Sequence, residues 1–207
     1  MLDVGCATGE LCGALAASGL RPTGVDLNPW FVEAAKVHFP NLPFRRADMR
    51  SLPFRARFDG LVCMGSTLLY ALSNHDLLRA LHSFRRALRP GGWLLLDVLN
   101  ASALIARQVF RRRSVHRFAG DITAVIRHSF DARGQALTEQ VTWSVGRERH
   151  RDPATRLRLL FPMEVRLLLE SVGFEDVSLL GDFRRGAIAL HGRRMIAIAR
   201  KRGTRRV

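Results

Sequence analysis

The first ten residues constrain the fold most strongly, because a short apolar strand there runs into a glycine turn. Leu2-Asp3-Val4 is followed by Gly5-Cys6-Ala7-Thr8-Gly9, and a helix is expected over Glu10–Ala17. Glycines at such a turn let the backbone approach a ligand and place the amino end of the helix beside it. The segment does not match the dinucleotide fingerprint G-x-G-x-x-G. The sequence therefore predicts a ligand loop after the first strand.

Strands and helices alternate through the first hundred residues. After the first helix we expect strands at 22–26, 44–47, 58–64 and 93–99, and helices at 29–38 and 74–88. Asn74 is the expected N-cap of the second of these helices, and Arg89-Pro90-Gly91-Gly92 is expected to be a turn. Alternation with nearly continuous apolar strands indicates a parallel sheet covered on both faces.

The pattern changes after Asn100. Residues 122–130 and 136–145 alternate apolar and polar side chains around a turn, where Gly134 is expected to supply a positive φ. Residues 156–161 are a candidate third strand. A helix at 162–171 ends at Gly173, and strands 174–180 and 195–199 form an antiparallel hairpin at the sheet edge. We predict one α/β domain over 1–207 with an antiparallel insert near 101–160.

Composition excludes several classes of protein. The chain is 47% hydrophobic and 25% charged, and its sequence has no apolar run of roughly 18 residues that could span a bilayer. Three cysteines are too few for a disulfide scaffold, no Cys/His group has zinc spacing, and the N-terminus lacks the pattern of a signal peptide. A membrane protein and a metal site are therefore not expected, and the cytoplasm is the simplest compartment.

The formal net charge of +15 comes almost wholly from arginine. Two of the 33 basic residues are lysines, Lys36 and Lys201, so 31 are arginines. A polyanionic partner such as nucleic acid is one interpretation, and a solvated arginine surface is the other. The arginines are scattered as well as clustered, which favours the solvated surface.

Acidic residues mark two neighbouring strand ends. Asp3 stands two positions before Gly5, where it would repel a pyrophosphate and suit the cationic end of a ligand. Asp26 closes the second strand 17 residues past Gly9, and a carboxylate there can accept both hydroxyls of a ribose.

In these segments the chain resembles the class I S-adenosylmethionine-dependent methyltransferases. The family-like segments are LDVGCATG at 2–9, VDLNP at 25–29, RADM at 46–49, FDGLVCM at 58–64 and RPGG at 89–92. Ala7 replaces the usual middle glycine of the first motif. The resemblance implies a Rossmann-like, doubly wound, mostly parallel seven-stranded sheet with an antiparallel last strand. It also implies S-adenosylmethionine as cofactor, with no metal.

The resemblance implies roles by position. Backbone contacts to the cofactor are implied for Gly5, Cys6, Ala7 and Gly9. Asp3 is expected near the methionine ammonium, and Asp26 is expected on the ribose hydroxyls. The segments after the third and fourth strands would complete the site: Leu27 and Met49 around adenine, Asp48 on its amine, Met64 and Gly65 along the methionyl part.

The expected reaction is an in-line transfer of a methyl group to a small-molecule nitrogen or oxygen acceptor. The stretch after the fourth strand has neither the Pro-Pro pair nor the Pro-Cys motif of base-modifying relatives, so nucleic acid is not favoured as substrate. The insert resembles those that roof the acceptor site or mediate homodimers. Candidate acceptor contacts are Tyr70, Asn100, His116, Arg127 and His128, and no catalytic residue is assigned.

Two expectations concern what the sequence leaves open. The family usually has a helical segment before the first motif, whereas this chain starts at Met1 inside the first strand. Either the start lies upstream or the pocket is more open than usual, and we expect weakened cofactor binding.

The alternatives to a small-molecule methyltransferase are an RNA-modifying or RNA-binding protein and a non-catalytic methyltransferase-like protein. A nicotinamide-dependent dehydrogenase is a third alternative, which the mismatch to the dinucleotide-binding loop disfavours.

Overall fold

A seven-stranded sheet forms the centre of the computed structural model, which describes residues 1–111, 113–181, 183 and 189–203. Its strand order is β11-β12-β5-β4-β1-β2-β3. The strands are β1 (Leu2–Val4), β2 (Thr23–Asp26), β3 (Phe44–Arg46), β4 (Phe58–Cys63), β5 (Leu88–Leu99), β11 (Phe174–Leu180) and β12 (Arg194–Lys201). β1 to β5 run parallel, and β12 is antiparallel to both of its neighbours, as predicted.

Helices connect and cover these strands. They are α1 (Glu10–Ala17), α2 (Pro29–His38), α3 (Asn74–Ala87), α4 (Ala101–Ala106) and α5 (Pro162–Ser171). Apolar residues of α3 and α5 join the main core with the central strands, and α1 and α2 share a second cluster with Phe44. The described residues include no helix that combines the length and apolar character needed to cross a membrane.

The caps of two helices explain where they begin. The Asn28 side chain accepts from the Trp30 N–H, and Pro29 occupies the first turn of α2. The prediction that Asn74 caps α3 is wrong. Ser73 is the N-cap instead, because its hydroxyl lies 3.0 Å from the Asp76 N–H that it accepts from.

The expected turn at Arg89-Pro90-Gly91-Gly92 is an irregularity inside a longer strand. β5 begins at Leu88, and its pairing with β4 shifts register between Phe58 and Gly60. Gly91 has a φ of 78°, a conformation that suits a residue without a Cβ at such a bulge. The chain thus turns locally while the strand continues.

The predicted insert is a five-stranded antiparallel sheet of its own. Its strands are β6 (Arg113–Arg117), β7 (Ile122–Asp131), β8 (Ala136–Val145), β9 (Glu148–Arg151) and β10 (Thr155–Arg158). The order is β10-β8-β7-β6, and β9 pairs with β8 as well. The positive φ expected at Gly134 falls on Gln135, whose φ is 47°, because the Asp131 carboxylate holds the turn by accepting from two backbone N–H groups.

Candidate cofactor site

A cavity of about 840 Å³ lies at the carboxyl ends of four parallel strands. Such ends meet at one edge of a sheet, and in doubly wound proteins ligands bind there. Ten of the eleven residues predicted to bind the cofactor line this cavity: Asp3, Gly5, Cys6, Ala7, Asp26, Leu27, Asp48, Met49, Met64 and Gly65.

The eleventh, Gly9, does not line the cavity. It starts α1 with a φ of 92°, and a Cβ there would lie 2.9 Å from the Phe44 ring. Gly9 allows the helix to begin close to a buried aromatic ring, and its backbone contact with the cofactor stays a prediction.

The loop after β1 is fixed by the backbone of β2. The N–H groups of Gly5 and Cys6 donate to the Val25 carbonyl at 2.8 and 3.0 Å. Gly5 has a φ of 77°, and a Cβ at this position would lie 2.4 Å from Thr67 Oγ1. Glycine is required here by conformation and by close packing, which together set the shape of the cavity floor.

The Asp26 carboxylate is held at the end of β2 by two backbone donors. Its Oδ2 accepts from the Ala7 N–H at 3.0 Å, and its Oδ1 accepts from the Asn28 N–H at 2.9 Å. An ionised carboxylate offers about four lone-pair sites, so further acceptor capacity remains on the cavity side. This orientation allows Asp26 to bind a pair of neighbouring hydroxyls.

Asp3 is a buried carboxylate in the cavity wall, with only 2% of its surface exposed. The Cys12 thiol donates to its Oδ2 at 3.6 Å, and no salt bridge to Asp3 occurs in the described part of the chain. The pKa of Asp3 is raised to about 6, mainly by burial, and the nearby Asp26 charge contributes to this rise. A cationic ligand group beside Asp3 would offset the free-energy cost of ionising this buried carboxylate.

Asp48 is paired with an arginine that the sequence reasoning missed. Arg50 Nη2 lies 2.7 Å from Asp48 Oδ2, and Arg50 Nη1 lies 3.2 Å from Asp76 Oδ1. The hydrogen bonds from Arg50 lower the pKa of Asp48, so it is held as a carboxylate. Leu27 is 55% exposed on the same cavity, an apolar surface that a flat ring could cover.

Gly65 is positioned by a buried acid from the neighbouring strand. Its N–H donates to Asp97 Oδ2 at 3.1 Å, and the same oxygen is paired with Arg194. A Cβ at Gly65 would meet no atom within 4 Å, so the space beside it is open cavity. Asp97 was not predicted, because its contacts depend on strands that are remote in sequence.

Of the five predicted acceptor contacts, only Tyr70 lines the cavity, with 60% of its surface exposed. Asn100 is fully buried, and its amide donates to the Leu190 and Gly192 carbonyls. Asn100 therefore has a structural role, because its hydrogen bonds hold the end of β5 against the segment that precedes β12.

The other three candidates lie on the insert sheet, outside the cavity lining. His116 and Arg127 are exposed on β6 and β7. His128 Nε2 lies 2.9 Å from Glu139 Oε2 on the neighbouring strand. The sequence suggested these residues because the family's insert roofs the acceptor, but alternation along a strand does not reveal which face meets the cavity.

Within the described residues there is no group of three or more His, Cys, Asp or Glu side chains that could hold a metal ion. The strand order, the cavity at the strand ends, and Asp3 and Asp26 on its wall match the architecture expected of a class I methyltransferase.

Comparisons with known proteins agree with this architecture. Residues 1–92 match the family model described as a methyltransferase domain. The glycine/sarcosine N-methyltransferase of Aphanothece halophytica is 30% identical over 62% of this chain and 46% of its own length. The ubiquinone biosynthesis O-methyltransferase of Paracidovorax citrulli is 30% identical over 50% of this chain and 44% of its own. The chain thus spans less than half the length of these curated relatives.

Solved structures share the fold at low sequence identity. An S-adenosylmethionine-dependent methyltransferase from Clostridium acetobutylicum has a TM-score of 0.85 and 16% identity, over 98% of this chain and 83% of that one. The sugar N-methyltransferase KedS8 from Streptoalloteichus has a TM-score of 0.77 and 22% identity, over 97% and 79%. These structures show that the chain has the fold of S-adenosylmethionine-dependent methyltransferases, and residues 1–92 match a methyltransferase domain.

Proposed function

We propose that this chain binds S-adenosylmethionine in the cavity and transfers its methyl group to a small-molecule nitrogen or oxygen acceptor. The observation that carries the proposal is the pair of carboxylates on the cavity wall. Asp3 is buried without a charged partner among the described residues, and Asp26 is oriented by two backbone N–H groups. Asp3 suits an ammonium group, and Asp26 suits the two hydroxyls of a ribose.

The remaining lining fits the other parts of such a cofactor. Leu27 and Met49 offer apolar surface for a purine, and the open space beside Gly65 accommodates a slender aliphatic chain. Bound S-adenosylmethionine supplies a methyl group on a sulfonium, which is already a strong electrophile. The work left to the protein is to orient the acceptor and to exclude water.

The acceptor chemistry follows from what lines the cavity. The titratable lining residues are carboxylates, an arginine, a thiol and a tyrosine, and no histidine occurs in the lining that the structure describes. An amine loses its proton to solvent readily, whereas an alcohol needs a general base in the site. The lining therefore favours amine acceptors, and among oxygen acceptors it favours acidic hydroxyls such as phenols.

The relatives support a small acceptor. They include a glycine/sarcosine N-methyltransferase and a ubiquinone biosynthesis O-methyltransferase, and KedS8 is a sugar N-methyltransferase. We place the reaction in the cytoplasm, in keeping with three buried cysteines that are not in disulfides. Homodimer formation through the insert is a further part of the proposal.

The test is the formation of S-adenosylhomocysteine in the presence of a panel of amines, amino sugars and phenols. We expect turnover with at least one amine, and turnover by Asp26→Asn that is at least tenfold lower when the cofactor is limiting. The control is Glu148→Gln, an exposed carboxylate on the insert. Tight cofactor binding with no turnover on any acceptor class would contradict the proposed transfer, and would favour a non-catalytic role.

A further inference from the structure

One face of the insert sheet is segregated by charge. In an antiparallel sheet, residues paired across strands project from the same face, and alternate residues project from opposite faces. Arg127 pairs with Arg113 on β6, and Arg117 pairs with Thr123 on β7. This register defines a face, here called the arginine face, which carries Arg113, Arg117, Arg127, Arg149, Arg151 and Arg156.

The register of β8 extends the arginine face across the whole insert. Ser144 pairs with Arg149, Thr142 pairs with Arg151, and Thr138 pairs with Arg156. The six arginines are all exposed. Strand spacing and rise give a patch of roughly 14 by 20 Å.

Acidic residues of the insert strands lie mostly on the opposite face. Glu139 pairs with His128, and Glu148 pairs with Val145. The exception is Asp131, which forms an ion pair with Arg156 at 3.7 Å. The other five arginines form no salt bridge with any residue that the structure describes. Their charge is therefore not neutralised by an ion pair within the described part of the chain.

We propose that the arginine face binds the phosphate backbone of duplex nucleic acid, independently of the proposed methyl transfer. A planar guanidinium group donates two parallel hydrogen bonds to phosphate oxygens. The serine and threonine hydroxyls between the arginines can donate further hydrogen bonds to phosphate. The face has no aromatic side chain on which unpaired bases could stack, so it suits a duplex better than a single strand. Its exposed apolar side chain is Val115, which is short. The described strands place on this face no exposed aromatic or long aliphatic side chain of the kind with which proteins insert into membranes.

The test is fluorescence anisotropy of the full chain with labelled DNA and RNA duplexes of about 20 base pairs over a salt series. We expect binding at low salt for both duplexes. Each phosphate contact adds roughly 0.9 to the slope of log affinity against log salt on DNA. The variant Arg117→Gln/Arg149→Gln/Arg151→Gln should therefore lower that slope by roughly 2.7, while its cofactor binding stays unchanged.

Two matched variants distinguish binding at the arginine face from general electrostatic attraction to the basic chain. Replacing the same three arginines by lysine keeps the charge, so the salt slope should stay near that of the wild type. Replacing Arg21, Arg55 and Arg193 by glutamine removes equal charge from exposed positions outside the insert, and should leave most of the slope intact. Melting temperatures of all variants confirm that they are folded.

Three outcomes would overturn the proposal. Equal loss of slope in the insert and control variants would show diffuse attraction to the whole basic chain. Binding to vesicles rich in phosphatidylserine without binding to either duplex would assign the face to a membrane. Absence of duplex binding at low salt would show that the arginine face is only a solvated surface. None of these results depends on whether methyl transfer occurs.

Discussion

Replacing Asp3 by asparagine should stabilise the protein while weakening its binding of the cofactor. Asp3 is a buried carboxylate whose hydrogen-bond donor is the Cys12 thiol. Asparagine has nearly the same shape and keeps an oxygen to accept from that thiol, but it does not ionise. The substitution therefore removes the cost of a buried charge and little else.

The size of the effect follows from the pKa of Asp3, which is raised from 3.8 to about 6 in the folded protein. Because the folded state holds this proton more tightly, the free energy of unfolding falls as pH rises through this window, and the penalty is complete above it. At roughly 1.36 kcal/mol per pKa unit, the penalty is about 3 kcal/mol at pH 7. At pH 5 it is about half of that.

Urea unfolding of the protein and of Asp3→Asn at pH 5 and pH 7 measures this difference. The variant should be more stable at both values of pH, and its advantage should be larger at pH 7. Glu148→Gln, at an exposed position, controls for general loss of negative charge. An Asn variant that is less stable, or an advantage that does not change with pH, would refute the reasoning.

The same variant should bind S-adenosylhomocysteine more weakly, because the ammonium loses its charged partner. Methylthioadenosine, which lacks the amino acid part of the cofactor, should bind both proteins equally well. Equal loss of affinity for both ligands would show that Asp3 acts through the shape of the cavity and not through charge.

Three further predictions concern the loop, the acceptor and the thiols. Gly5→Ala should destabilise the protein by more than Gly120→Ala in urea unfolding, since both have positive φ but only the first would place a Cβ against Thr67. Equal losses would contradict the steric argument. Tyr70→Ala should raise the KM for the acceptor several-fold and leave cofactor affinity unchanged, as steady-state kinetics and calorimetry would show; unchanged KM would remove Tyr70 from the acceptor site. Burial raises the pKa of all three cysteines, so the folded protein should resist a thiol reagent at pH 8 that labels it rapidly after unfolding.

Site features that are encoded by a few neighbouring residues could be predicted from the sequence. The strand end at Asp3, the turn at Gly5 and the strand end at Asp26 are each coded within a few residues, because apolar runs, glycine and a closing carboxylate signal them locally. The parallel arrangement of β1, β2 and β4 then brings these strand ends to one cavity.

Features that depend on remote partners were not predictable. β6 and β9 are rich in charged residues and lack an apolar alternation, so they become strands only because β7 and β8 offer open edges. Arg50 was missed as well, since its link to Asp76 joins residues 26 positions apart. His128 was placed on a strand from its sequence, but its pairing with Glu139 across the hairpin depends on a register that composition does not reveal.

Calorimetric titration of S-adenosylmethionine and S-adenosylhomocysteine into the protein and into Asp26→Asn is the decisive test of cofactor binding in the cavity. The Asp26 carboxylate is the group that the backbone N–H groups of Ala7 and Asn28 orient at the end of β2. We predict measurable binding of both ligands by the protein and a loss of at least tenfold in affinity in the variant, about 1.4 kcal/mol. Unchanged affinity in the variant, or no binding by a folded wild type, would contradict this prediction.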